Sequence, residues 1–163
     1  MRTVGIIVAS DQGSKGLRVD ESGEVIKEMV EALGYEVIRK VVVSDDIENL
    51  KEEIIKQSDH LRCHLILTTG GTGFSKRDNT PEATRLVIER ECPGIAEAMR
   101  WISFQKTPKA MLSRAIAGIR GDSIIVNMPG SPKAVRECME VIMNPLAHGI
   151  DILIGDAKEC ATK

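Results

Sequence analysis

Apolar positions along this chain alternate between two periods. Val4 to Ala9 is a continuous apolar run of strand length, the pattern of a strand buried on both faces of a parallel sheet. Apolar residues at helical spacing follow, Val25, Ile26, Met29, Val30 and Leu33, opening at a Ser22 cap and closing at Gly34. The cycle repeats with a strand over Tyr35 to Val43, a Ser44, Asp45, Asp46 cap cluster, and a helix bearing Ile47, Leu50, Ile54 and Ile55. A third strand spans Leu65 to Thr69.

Beyond a glycine-bearing loop, Thr80 caps and Pro81 starts a helix, a position where a missing N–H costs nothing, and Pro93 and Gly94 are expected to end it. A further helix carries Ile95, Met99 and Ile102. Ile116 to Ile119 and Ser123 to Met128 flank Arg120, Gly121 and Asp122 and read as a hairpin. The chain then passes Pro129, Gly130, Ser131 and Pro132 into a last helical region, expected to break or kink at Asn144 and Pro145. Alternating strands and helices of these lengths imply right-handed βαβ crossovers. The expected fold is α/β, a single three-layer domain over residues 1–163 with a mostly parallel sheet flanked by helices and a small hairpin. A short flexible tail is expected to close it.

With 163 residues the chain is long enough for one core that needs neither disulfide nor metal. Cys63, Cys92, Cys138 and Cys160 form no CxxC pair, and His60, His64 and His148 lack HExxH spacing, so a zinc-type site is not expected. A net charge of -2 argues against a nucleic-acid face, and four scattered aromatics, Tyr35, Phe74, Trp101 and Phe104, offer no base-stacking platform. The apolar runs are too short to span a bilayer or to serve as a signal peptide, so the expected location is cytoplasmic, with no membrane partner.

In a parallel sheet ligands bind outside the carboxyl ends of the strands, so chemistry is sought in the loops that follow them. Gly70, Gly71 and Gly73 allow successive backbone N–H groups to turn toward one concavity, a nest for an anion such as phosphate, though they also suit a sharp turn alone. GxxxxGK[ST] is absent, and Lys76 stands where GxGxxG needs its third glycine. Of Ser44, Asp45 and Asp46, one helix start needs only one cap, which frees at least one carboxylate. Together with Asp78 it could hold Mg²⁺ or orient a phosphorylated substrate. No GxSxG elbow occurs, and transfer between phosphates needs none, because a substrate phosphate is already a nucleophile.

The string TTGGTGFSKRDNTPEAT, Thr68 to Thr84, resembles the signature of the MoaB/Mog family, the molybdopterin-binding proteins and molybdopterin adenylyltransferases of molybdenum cofactor biosynthesis. PKAMLSRAIAGIRG, Pro108 to Gly121, and NMPGSPKAVRECM, Asn127 to Met139, extend the resemblance through most of the chain. It implies a domain that assembles as a homotrimer and a reaction in which molybdopterin and Mg-ATP give adenylylated molybdopterin and pyrophosphate. A molybdate-inserting protein would use that product. Mg²⁺ would enter with ATP, with no tightly bound cofactor.

Carried over residue by residue, Asp45 and Asp78 match the family's two functionally important aspartates, with the metal contact left open between them. Thr69, Gly70, Gly71, Thr72 and Gly73 match the site for nucleotide and pterin phosphates, and Ser113 matches a serine lining the pterin site. Ser10 and Asp11 match the first-loop pair, and Pro129, Gly130 and Ser131 the last loop. The first loop is one residue longer than in some bacterial adenylyltransferases. A molybdopterin-binding module without efficient turnover is the alternative.

Overall fold

Six strands form one sheet in the order β2, β1, β3, β6, β5, β4 in a computed structural model that describes residues 1–156. The strands are β1 (Thr3–Ala9), β2 (Glu36–Val43), β3 (Leu65–Thr69), β4 (Arg90–Glu91), β5 (Ala117–Arg120) and β6 (Ser123–Met128). β2, β1, β3 and β6 run parallel, whereas β5 pairs antiparallel with β6 and β4 antiparallel with β5. The hairpin lies as expected, with Arg120 opposite Ser123 and Gly121 in the left-handed region. The expected tail lies outside the described residues.

The helices are α1 (Asp11–Ser14), α2 (Ser22–Ala32), α3 (Ile47–Ile55), α4 (Thr80–Val87), α5 (Pro93–Phe104) and α6 (Pro132–Leu153). A π-helical turn, Lys56–His60, extends α3, and a 3₁₀ turn, Pro108–Leu112, follows α5. Successive strand residues point to opposite faces, so each apolar run feeds two cores. Val4, Ile6, Leu65, Leu67, Val126 and Met128 join residues of α2, α5 and α6 on one face. Ile7, Ala9, Ile66 and Ile125 join residues of α3 and α4 on the other. This three-layer arrangement matches the expectation.

α2, which follows β1, packs on one face, and α3, which follows β2, packs on the other. β1 therefore has β2 on one side and β3 on the other, and the chain's direction across the sheet reverses between β1 and β3. At that reversal the loops after the two strands diverge toward opposite faces and leave a crevice. The first loop and the glycine loop meet there.

Four local expectations differ. Thr80 is the first residue of α4 and not its cap, the N-cap position belonging to Asn79, whose side chain makes no cap bond. The helix opened by Thr80 and Pro81 stops at Val87, and the chain then forms the short edge strand β4, so Pro93 and Gly94 start α5 rather than ending α4. A proline at the first turn of a helix loses no intrahelical bond, and that is the role Pro93 takes. Ser22 sits inside α2, and the cap bond to the Gly23 N–H comes from Asp20 at 2.8 Å. α6 runs unbroken through Pro145 over 22 residues, its inner face, Val135 to Ile150, buried against the sheet.

Candidate functional site

A cavity of about 770 Å³ opens at the carboxyl ends of β1 and β3. Its walls hold Ser10, Asp11, Asp45, Thr69, Gly70, Gly71, Asp78, Gly130 and Ser131, so nine of the thirteen residues picked out in the sequence converge on one cleft. Thr72, Gly73, Ser113 and Pro129 are not among the wall residues. Thr72 is buried, and Pro129 supplies the carbonyl that accepts the Thr69 hydroxyl at 2.7 Å. Ser113 lies beyond the 3₁₀ turn, where its Oγ accepts the Ala115 N–H at 3.3 Å.

The glycine loop starts with Gly70 and Gly71, both at positive φ, 89° and 69°. A side chain is excluded at either position by more than conformation. A Cβ on Gly70 would lie 2.5 Å from the Ala9 carbonyl oxygen, and one on Gly71 would run into Thr80 Oγ1 and approach Asp45 Oδ1 to 3.3 Å. The loop then passes close to Asp78, whose Oδ2 accepts the Ser75 N–H at 2.9 Å. Ser10 caps the short α1 through the Gly13 N–H at 2.9 Å, and Ser131 caps α6 through the Ala134 N–H at 3.1 Å.

Asp46 stands at the N-cap position of α3, yet its side chain takes no helix N–H. It accepts the Ser44 hydroxyl at 2.8 Å and an Arg77 N–H at 3.0 Å, and those contacts, the hydroxyl first, hold it below the usual carboxylate range. Asp45 points the other way, into the cleft. Burial pushes its carboxyl upward; the Asp11 N–H bonded to it opposes this, and the neighbouring charges of Asp11 and Asp78 reinforce it. Asp11 is the reverse case, pushed down to about 2, first by the Arg77 guanidinium and then by the Asp45 N–H.

The sequence assigns Arg77 no role. In the fold its Nε and Nη2 donate to both oxygens of Asp11 at 2.9 and 2.8 Å while Nη1 reaches Asp46, so one side chain ties together the loops after β1, β2 and β3. Asn79 adds a bond to the Asp45 carbonyl at 2.9 Å. The only hint was adjacency to Asp78, since the partners of Arg77 lie 31 and 66 residues away. Arg18, Asp20 and Glu21 complete the far wall, leaving five carboxylates against one cationic side chain on the cavity surface.

That balance fits a phosphorylated ligand accompanied by a divalent cation. Mg²⁺ is held by one or two carboxylates plus substrate phosphates and waters, rather than by an all-protein cage. Among the described residues no three His, Cys, Asp or Glu side chains are grouped to hold a metal, while Asp45 and Asp78 both line the cavity beside Gly70 and Gly71. Among the described residues, too, no helix is long and apolar enough to cross a membrane.

Comparison with known proteins identifies the family of this fold. Residues 5–148 match the family model described as a probable molybdopterin binding domain. The chain is 40% identical over 155 residues to the molybdopterin adenylyltransferase of Helicobacter pylori strain J99, covering 94% of this chain and 88% of that protein. Among solved structures, the molybdopterin biosynthesis enzyme MoaB from Thermus thermophilus is 42% identical with a TM-score of 0.90, covering 95% of this chain and 98% of that one. The Mog protein from Mycobacterium ulcerans is 36% identical with a TM-score of 0.88, covering 94% and 99%. With the family model matched across most of its length, and with relatives this similar in both sequence and fold, the chain belongs to the MoaB/Mog family of molybdopterin-binding domains.

Proposed function

We propose that this protein is a molybdopterin adenylyltransferase, joining AMP from Mg-ATP to the terminal phosphate of molybdopterin. The observation that carries the reading is the convergence of Asp45, Asp78 and the Gly70–Gly71 turn on one cleft at the sheet's reversal point. The names of the relatives support it. A phosphate oxygen of the pterin attacks the α-phosphorus of ATP, the bond to the bridging oxygen breaks, and pyrophosphate leaves with that electron pair. Nothing covalent is asked of the protein, whose share is in-line placement and stabilisation of charge on the transferred group.

In this scheme Asp45 and Asp78 would hold the Mg²⁺ that enters with ATP, or orient the molybdopterin phosphate, and the cation would supply neutralisation of phosphate charge. The N–H groups of the glycine loop take a phosphate, and Ser10, Asp11, Gly130 and Ser131 close the cleft around the pterin and nucleotide. Ser113, Thr72 and Gly73, not among the cleft-wall residues, are taken as pterin- and phosphate-binding residues on the family resemblance. The assembly is a homotrimer, for which sedimentation should give three times the chain mass of 17.8 kDa. Its product passes to a molybdate-inserting protein.

The test is anaerobic incubation of the purified protein with molybdopterin and Mg-ATP, following adenylylated pterin and pyrophosphate by chromatography, with Asp45→Asn and Asp78→Asn beside it. Product from the natural protein, and its fall by about 10² to 10³ in either variant with nucleotide affinity largely kept, is the expected result. Pterin binding without adenylylated product would make the chain a binding module instead.

A further inference from the structure

The segment Gly70 to Gly73 has four successive carbonyl groups, and two residues take all of them. Thr80 donates its hydroxyl to the Gly70 carbonyl at 2.9 Å and its own N–H to the Gly71 carbonyl at 3.1 Å. Arg114 donates its N–H to the Thr72 carbonyl at 2.9 Å and its Nε to the Gly73 carbonyl at 2.7 Å. The N–H groups of Gly71, Thr72 and Gly73, by contrast, meet no protein acceptor among the described residues.

These two facts are linked by the planarity of the peptide unit. The C=O of one residue and the N–H of the next lie in one plane and point in opposite directions, so holding the oxygen fixes where the hydrogen points. Thr80 thereby fixes the N–H groups of Gly71 and Thr72, while the main-chain N–H of Arg114 fixes that of Gly73 and its Nε that of Phe74. Unmet backbone donors are rare in a folded chain and cost free energy where water is excluded. A row of three whose carbonyls are all tied away is an arrangement waiting for an anion.

We propose that Thr80 and Arg114 are positioning residues for the phosphate-bearing substrate, holding the glycine loop's carbonyls away from the ligand so that its N–H groups stay presented. This rests on the reading of the loop as a phosphate site. Both residues are themselves anchored. The Thr80 carbonyl accepts the Thr84 hydroxyl at 2.8 Å, which in turn accepts the Asn127 amide at 2.9 Å in the core. Arg114 reaches the Asp78 carbonyl at 2.6 Å and pairs with Glu82, so the same guanidinium also fixes the backbone at the second aspartate. Without these anchors a peptide flip would turn an oxygen toward the phosphate, replacing attraction by repulsion.

The experiment titrates inorganic pyrophosphate with Mg²⁺ into the natural protein and into Thr80→Val, Thr80→Ser and Arg114→Lys. It reads affinity by calorimetry and the Gly71, Thr72, Gly73 and Phe74 amide resonances by ¹⁵N NMR. Thr80→Val keeps the shape and the N–H donor but loses the hydroxyl; it should bind about fivefold more weakly, the worth of one hydrogen bond, with the Gly71 amide response reduced. Thr80→Ser should restore both. Arg114→Lys keeps the charge and the main-chain bond to the Thr72 carbonyl but loses the Nε bond to the Gly73 carbonyl, so it should weaken binding with the Phe74 amide response reduced, and it carries the test should Thr80→Val fail to fold. Unchanged affinity and unchanged amide responses in the variants would overturn the proposal. Failure of the natural protein itself to bind pyrophosphate would instead remove the phosphate reading of the loop, and this inference with it.

Discussion

Asp11 and Asp45 brace each other across the first two strand-end loops: the Asp11 N–H donates to Asp45 Oδ2 at 2.9 Å, and the Asp45 N–H donates to Asp11 Oδ1 at 3.0 Å. Although the contact is reciprocal, the two carboxyls titrate apart, Asp11 pushed down to about 2 and Asp45 pushed up by burial. A carboxyl whose folded pKa is raised weakens the folded state as pH rises through that value, because the charged form is the one burial disfavours. Ionised Asp45 is therefore retained at a cost to stability, as expected of a group kept for function. Asp45→Asn should melt at the same temperature or higher at pH 7 while losing the adenylyl-transfer activity. A clear fall in Tm would show that the charge is structural instead.

Arg77 gives the opposite pH dependence. Asp11 is depressed chiefly by this guanidinium, so its contribution to stability is fully present above the ordinary carboxylate value of 3.8 and is lost as pH falls toward about 2. Arg77→Met should return Asp11 toward its ordinary range, and the acid-unfolding midpoint should move to higher pH than in the natural protein. Both side chains are open to solvent, so the difference, although fully expressed at neutral pH, should be small and should shrink further in high salt. Coincident acid-unfolding curves followed by circular dichroism would refute this account of Asp11.

The parallel part of the sheet and the cleft were legible from the sequence because both are written locally. Strand runs such as Val4 to Ala9 have no helical alternative of the right length, and Gly70 with Gly71 marks the one loop among the described residues that takes left-handed backbone at two successive residues. What escaped depends on pairing between distant segments. β4 exists because Arg90 lies opposite Ile119 and Glu91 opposite Gly118, and nothing within residues 88–92 announces it. Pro93 was read as a stop because proline both ends and begins helices, and only the intervening strand decides which. Arg77 and Arg114 were invisible for the same reason, each binding backbone or carboxylates at least 31 residues away. The residue types of a site are local information, but the groups that orient them are tertiary.

Gly71→Ala tests the turn itself. The left-handed conformation costs an L-residue about 1 to 2 kcal/mol, and the added methyl must also displace Thr80 Oγ1, a buried atom already engaged with the Gly70 carbonyl. The expected loss is about 2 kcal/mol or more in urea unfolding, with nucleotide binding abolished because the displaced loop no longer presents its N–H groups. Because the same methyl approaches Asp45, the variant should lose turnover even at saturating nucleotide. Native stability in Gly71→Ala would mean that the loop can adopt another conformation and that its glycines are not required by geometry.

Asn127 links the core to the glycine loop and gives a prediction whose sign depends on pH. Fully buried in β6, it donates to the Thr68 and Thr84 hydroxyls at 3.1 and 2.9 Å and accepts the Ile116 N–H at 3.2 Å. Replacement by Leu keeps the volume and removes all three bonds, which should cost about 2 to 4 kcal/mol because the Ile116 N–H is left without its partner. Asn127→Asp is more discriminating. A protonated carboxyl can still accept from Ile116 and donate to one threonine, so the variant should hold near-native stability at pH 4 to 5, roughly the ordinary carboxylate range. Among the described residues no cation pairs with this position, so burial should raise the new carboxyl's folded pKa, and stability should be lost as pH rises through it. Urea midpoints that fall steeply from acid to neutral pH in Asn127→Asp, but not in Asn127→Leu, are the expected signature. Parallel curves for the two variants would show that water reaches this part of the core and that the Asn127 network does not hold the loop from beneath.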